Sequence, residues 1–213
     1  MTFTDRLAYE IPPLVRGLTF DGQKGLFVHA VTGKKVDLML NPVSESMEET
    51  VVQWKRLLDA YTEERRVYPA VIGIGETDFT YGLGTNYDEA VRAEGVSALP
   101  VLPPSDSRSD VVRDKIVLVT GGAQGFGEGM VRSLVEQGSF VYIADMNEQG
   151  AKKLADELNY EACITVAKSL AVNVTDETSV EAMMDQVALE TGSLDVFVSN
   201  AGVLRAGSVK AMS

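Results

Sequence analysis

Thr120-Gly121-Gly122-Ala123-Gln124-Gly125-Phe126-Gly127 is the stretch that decides the fold of this chain. An apolar run, Ile116-Val117-Leu118-Val119, leads into it, and a helix-like segment leaves it and reaches Gly138. Strand, glycine turn and helix, in that order, hold a dinucleotide pyrophosphate. Gly121 and Gly125 allow backbone geometry and close approach that a Cβ would block. Gly127 lets the helix start lie against the strand, where free N–H groups and the helix dipole favour an anion.

Downstream, Val141-Tyr142-Ile143-Ala144-Asp145 reads as a second buried strand with a carboxylate at its C-terminal end. Asp145 lies 18 residues beyond Gly127, about where a ribose-binding acid is expected. A carboxylate there accepts from both adenosine ribose hydroxyls and repels a 2′-phosphate. No Lys or Arg lies between Thr120 and Gly127 or just after Asp145, so the expected cofactor is NAD(H) and not NADP(H). Leu170 to Val174 reads as a third strand, and Thr175-Asp176 leads into a helix whose Val180, Met183, Met184 and Val187 predict a buried face. Leu194 to Val198 is the next strand, running into Ser199-Asn200-Ala201-Gly202. This alternation calls for a parallel sheet with right-handed crossovers. The fold class expected is α/β, a Rossmann-like parallel sheet (partial, strands one to four) preceded by a smaller α/β segment.

Residues 114–213 resemble the short-chain dehydrogenase/reductase family through the TGxxxGxG stretch at Thr120–Gly127, Asp145, Asn173-Val174 and the Asn200-Ala201-Gly202 triplet. The resemblance implies an oxidoreductase acting on an alcohol or carbonyl. It also implies a cofactor-binding set: Thr120, Gly121, Gln124, Gly125, Phe126, Gly127, Asp145, Met146, Asn173, Val174, Asn200, Ala201 and Gly202. Asn173 stands where the family usually has an aspartate near the adenine amine, and Ser199 replaces a common asparagine. The triplet is implied to stabilise the central sheet and line the cleft. Family chemistry resembles a tyrosine acid/base helped by a lysine four residues on and a serine upstream, all lying well after the triplet. None of the seven tyrosines has a lysine at that spacing, and the sequence ends at Ser213. Lys115, Lys168 and Lys210 have no plausible tyrosine partner in sequence. The expectation is therefore no catalytic residue and no hydride transfer from this chain alone.

With strands one to four only, Leu194–Val198 would be an exposed edge, prone to pair with other chains. Weak NAD binding and self-association are expected, with a small carbonyl or alcohol substrate only in a complete parent protein.

A net charge of −12 argues against nucleic acid or an anionic membrane as partner. The N-terminus lacks a signal-peptide pattern, and no apolar stretch approaches the roughly 20 residues that span a bilayer. The expected location is cytoplasmic. The single cysteine, Cys163, makes no internal disulfide and reads as a small buried or half-buried residue.

Residues 97–113, with three prolines and four serines, suit an exposed linker between two units, 1–96 and 114–213. Within the first unit, Thr50 to Tyr61 predicts an amphipathic helix, Pro69 to Gly75 a buried strand, Phe79 to Gly84 a return strand and Asn86 to Glu94 a helix. Tyr68, Pro69, Val71, Gly73, Gly75, Gly82 and Ala90 resemble the C-terminal end of a class II sugar aldolase domain. Such domains join short-chain dehydrogenase domains in certain bacterial sugar-degrading proteins, which implies a sugar, sugar phosphate or aldehyde as substrate. The one histidine, His29, cannot by itself supply the roughly three ligands of a catalytic zinc, so no metal site is expected. Two alternatives stay open at this point: a non-catalytic dinucleotide-binding or interaction module, and an aldolase remnant carrying a passenger Rossmann unit.

Overall fold

Five consecutive residues, Ile116 to Thr120, are buried to the last one, as in a parallel strand covered on both faces. The computed structural model describes residues 3–22, 24–41, 47–75, 77–94, 96–97 and 111–202. In chain order the first part holds α1 (Phe3–Leu18), β1 (Phe27–Val31), β2 (Leu38–Leu40), α2 (Met47–Arg65), β3 (Val67–Tyr68), β4 (Val71–Ile74), β5 (Thr80–Gly84), α3 (Tyr87–Arg92) and β6 (Val96–Ser97). The second holds β7 (Ile116–Thr120), α4 (Gly125–Glu136), β8 (Phe140–Asp145), α5 (Glu148–Ala162), β9 (Ala167–Ala171), α6 (Glu177–Thr191) and β10 (Val196–Val198). The fold is α/β, with a parallel sheet in its second part.

That sheet runs β10-β7-β8-β9, and every neighbouring pair is parallel. Side chains alternate faces along each strand. Val117, Val119, Val141 and Ile143 enter one core with α4 and α5, whereas Ile116, Leu118, Phe140 and Tyr142 enter the other with Met183 and Val187 of α6. Among the described residues β10 pairs only with β7, and its Phe197 is half exposed.

Two expectations shift. The third strand ends at Ala171 rather than continuing to Val174, because it pairs with β8, which stops at Asp145 opposite Ala171. On α6, Met183 and Val187 are buried but Met184 is 37% exposed, since it lies at the rim of the stripe the other two define.

The first part builds a mixed sheet, β1-β5-β4-β2, with β4 and β5 antiparallel as the return-strand reading requires. Trp54 and Leu58 of α2 bury against Ile72, Ile74, Leu83 and Leu40. Gly82 has a direct steric reason: a Cβ there would lie 2.2 Å from the Ala90 carbonyl oxygen, so its absence lets α3 lie on β5. Ser97, placed in the linker by composition, pairs with Val67 as strand; residues 98–110 lie outside the described residues.

The two sheets meet at the foot of the parallel one, where its strands begin. Phe27 packs edge-on against Phe140 at 5.5 Å, and Tyr87 stacks on Phe140 at 5.3 Å. Phe27 and Ala90 share one buried cluster with Ile116, Leu118 and Tyr142.

Candidate dinucleotide cleft

A cleft of about 510 Å³ opens at the C-terminal ends of β7, β8 and β10, the end where open α/β sheets take their ligands. Gly121, Gln124, Gly125, Phe126 and Gly127 form its floor and one wall. Asp145 and Met146 come from the end of β8, Asn173 and Val174 from the turn before α6, and Asn200, Ala201 and Gly202 from beyond β10. Every residue expected at the cofactor site lines this cleft except Thr120, which lies beneath it. Ala144, Val172 and Thr175 also line it and were not among the residues expected there.

Thr120 is buried and acts as the bracket below the floor. Its Oγ1 accepts from the amides of Asn200 (3.0 Å) and Ala201 (3.1 Å). Asn200 Nδ2 in turn donates to the carbonyls of Thr120 (3.1 Å) and Gly121 (3.2 Å). The triplet thus stitches the end of β10 to the glycine turn, which is the sheet-stabilising role its pattern implied.

Gly127 is the tightest point. A Cβ there would stand 2.0 Å from the Gly121 carbonyl oxygen and 2.8 Å from Asn200 Nδ2, closing the turn from within. The α4 N-terminus that results has Gln124 as its cap residue, with no side-chain hydrogen bond to the first-turn amides. Asn86, Asn147 and Asp176 do cap α3, α5 and α6. First-turn N–H groups that lack a side-chain acceptor are donors for an anion.

Asp145 is held with its carboxylate at the rim. Oδ2 accepts from the Ala123 amide at 3.0 Å and Oδ1 from the Asn147 amide at 2.9 Å. Each oxygen keeps a further lone-pair direction for a hydroxyl donor. Among the described residues, no lysine or arginine lines the cleft. Phe126 is 91% exposed and Met146 73% exposed, so both present apolar surface at the mouth. Asn173 Oδ1 is engaged locally by the amide and hydroxyl of Thr175, at 3.1 and 2.8 Å.

The structure corrects two side-chain expectations. Lys168 does have a tyrosine partner: its ammonium donates to the Tyr87 hydroxyl at 2.9 Å and pairs with Glu190 Oε2 at 2.8 Å. The two residues are 81 positions apart, which no local spacing rule detects. The pair sits three residues before the end of β9, about 10 Å below the cleft at roughly 3.3 Å per residue, so it does not face the cleft. Burial acts to lower the Lys168 pKa, but the bonds to Glu190 and Tyr87 outweigh it and hold the ammonium above its usual value. Cys163, in turn, is exposed and not buried, because it caps α5 in a left-handed conformation (φ 58°) past the last packed turn. His29 is partly buried, as expected, with Nδ1 3.0 Å from the Glu190 carbonyl oxygen.

Among the described residues no group of three or more His, Cys, Asp or Glu could hold a metal, and no helix is long and apolar enough to cross a membrane.

Residues 115–213 match the family model described as short chain dehydrogenase. An uncharacterized oxidoreductase of Bacillus subtilis, YuxG, is 37% identical over 89 residues, covering 42% of this chain and 13% of that protein. The 3-oxoacyl-[acyl-carrier-protein] reductase FabG of Salmonella typhimurium is 37% identical over 91 residues, covering 43% of this chain and 35% of the reductase. A solved 3-ketoacyl-(acyl-carrier-protein) reductase from Brucella melitensis, complexed with NADH, is 28% identical with a TM-score of 0.43, covering 48% of this chain and 40% of its own. The chain therefore spans well under half the length of the relatives it matches.

Proposed function

We propose that residues 114–213, which contain the segment 115–213 that matches the short chain dehydrogenase model, are the NAD(H)-binding part of an oxidoreductase. One observation carries this reading: the side-chain-uncapped α4 N-terminus, the Asp145 carboxylate and the Asn200 triplet converge on one cleft. The first-turn amides of α4 would receive the pyrophosphate. Asp145 would take the adenosine ribose hydroxyls, with Asn173 and Val174 beside the adenine and Asn200 to Gly202 toward the nicotinamide. A bound nicotinamide dinucleotide supplies or accepts a hydride at an alcohol or carbonyl carbon. The Asp145 carboxylate at the rim supports NAD(H) over NADP(H), because a 2′-phosphate beside it would meet like charge and no lysine or arginine lines the cleft among the described residues.

The reading assigns cofactor capture, and not proton transfer, to these residues. No tyrosine in the sequence has a lysine four positions on, and the Tyr87–Lys168 pair lies at the wrong end of the sheet. Hydride transfer is not expected from this chain alone. We place it in a cytoplasmic, two-unit organisation, 1–96 and 114–213 joined by 97–113. The first unit resembles a class II aldolase end, and the substrate of the whole is a sugar-derived or aldehyde compound. The small share of YuxG that the match covers supports occurrence of such a segment within much longer chains. Among the described residues β10 has one strand partner, which supports self-association along that edge.

The test is titration of the purified chain with NADH and NADPH, followed by ligand fluorescence and repeated with Asp145→Ala. Saturable NADH binding, weaker for NADPH and with that preference lost in the variant, supports the reading. A folded chain that binds neither overturns it. The same absence of a Tyr-x-x-x-Lys pair favours a second reading, a non-catalytic dinucleotide-binding module. That reading stands if the protein binds NADH in every sequence context and never oxidises it.

A further inference from the structure

Besides the linker, the two parts of the chain touch directly at the foot of the parallel sheet. Arg16, on α1, has a side chain 5% exposed and donates through Nη1 to the Gly25 and Leu26 carbonyls, both at 3.0 Å. Its Nη2 donates to Asp195 Oδ2 at 2.9 Å, and that same oxygen accepts the Ile116 amide at 2.8 Å. A single carboxylate thus ties α1 to the first residue of β7. On the other side of the shared apolar cluster, Tyr87, Lys168 and Glu190 form a second bonded group. Tyr142, with no exposed surface, donates to the same Glu190 carboxylate at 3.2 Å. Val28 seats on Gly192, where a Cβ would come within 2.8 Å of it.

We infer that residues 3–94 are an obligatory intramolecular partner of the cleft-bearing sheet, docked on its foot so that both sheets unfold as one cooperative unit. The physical reason is that separation is costly from both sides. It would strand the buried Arg16 guanidinium without its carboxylate and take the Tyr87 hydroxyl away from Lys168. It would also return Phe27, Ile116 and Phe140 to water. The partner is specific in chemistry: a buried arginine for Asp195, a tyrosine hydroxyl for Lys168, and a phenylalanine edge for Phe140. Helix α6 extends the coupling, with Thr175 before its cap at the cleft and Glu190 in its last turn under His29. Its 15 residues span about 22 Å.

Trp54 makes the inference testable in the full chain. It is the single tryptophan, 2% exposed in the core of the first sheet, so its fluorescence reports that sheet alone. Ile143→Val trims the opposite sheet on the face away from the interface. Cooperative docking predicts that Trp54 fluorescence and far-ultraviolet circular dichroism share one thermal midpoint, and that the substitution lowers both by about 3 °C. A Trp54 midpoint that stays at the wild-type value while the circular dichroism midpoint falls overturns it. Asp195→Asn keeps the shape and removes the charge, and it lowers the Trp54 midpoint; a midpoint unmoved by Asp195→Asn overturns the docking role of that carboxylate. A third arm rests on the cofactor reading. Saturating NAD⁺ raises the Trp54 midpoint, and binding seen by calorimetry without that rise overturns the coupling. No NAD⁺ binding at all counts against the cofactor reading, with the docking judged on the two substitutions.

Discussion

Arg16 and Asp195 stand 179 positions apart in sequence and 2.9 Å apart in space, and theirs is the ion pair that joins the first helix of the chain to the base of its parallel sheet. The Arg16 guanidinium lies over the Phe27 ring, its central carbon 5.7 Å from the centroid. Burial pulls the arginine pKa down while Asp195 opposes that pull. Arg16→Ala therefore removes two carbonyl bonds, one ion pair and the contact with the Phe27 ring together. It is expected to cost about 3 kcal/mol, read as a lowered urea midpoint with an unchanged slope.

Gly127→Ala is expected to abolish NADH binding. The added methyl would overlap the Gly121 carbonyl and push the glycine turn away from the helix start. Fluorescence titration measures the loss, and circular dichroism checks that the helices persist. Gly129→Ala, where nothing lies within 4 Å, is the matched control and should bind like wild type.

Asp145→Asn is expected to weaken NADH more than NADPH and so narrow the preference between them. Its cost to stability is modest, about 1 kcal/mol, because the amide can still accept from only one of its two present donors, the Ala123 and Asn147 amides. Parallel titrations and a urea midpoint separate the two effects.

His29 gives the fold a pH dependence of defined sign. Burial depresses its pKa, against a smaller raising effect from the Glu190 carbonyl and carboxylate and with a further lowering from Lys168. The neighbouring carbonyl only accepts, so Nδ1 carries the proton in the neutral ring and protonation must occur at Nε2. The unfolded chain takes up that proton near pH 6.5 and the folded one only lower, so this contribution is whole above pH 6.5 and is lost as pH falls through the folded value. Urea midpoints at pH 7.5 and 5.5 should show the fall, and His29→Phe, edge-on to Tyr87 in the same way, should reduce it.

Cys163 is expected to react with a thiol reagent in the folded protein, one equivalent without denaturant, because it is exposed beyond the last turn of α5. Reaction only after urea would contradict that placement.

What was legible and what was not divides along range of interaction. The glycine turn, the β7–α4–β8 order and the position of Asp145 follow from residues within a few turns of one another, where apolar periodicity and backbone sterics act locally. The cleft residues fell together for the same reason: each lies just past a strand end, and parallel strands bring those ends to one edge. Helix α1 was hidden because Pro12 and Pro13 sit inside it and remove backbone donors, so its packing rather than its propensity holds it. Strand β1 buries no regular alternation and β2 has only three residues, so neither shows a period, and β9 was displaced because its register is set by the length of β8. Lys168 and Tyr87, like Arg16 and Asp195, met only when the two sheets packed. Local pattern and spacing determined the dinucleotide-type turn and the alternation of strand and helix that calls for a parallel sheet. Tertiary structure alone decided which buried charges found partners, because a charge taken from water must be answered by whatever group the fold brings beside it, however distant in sequence.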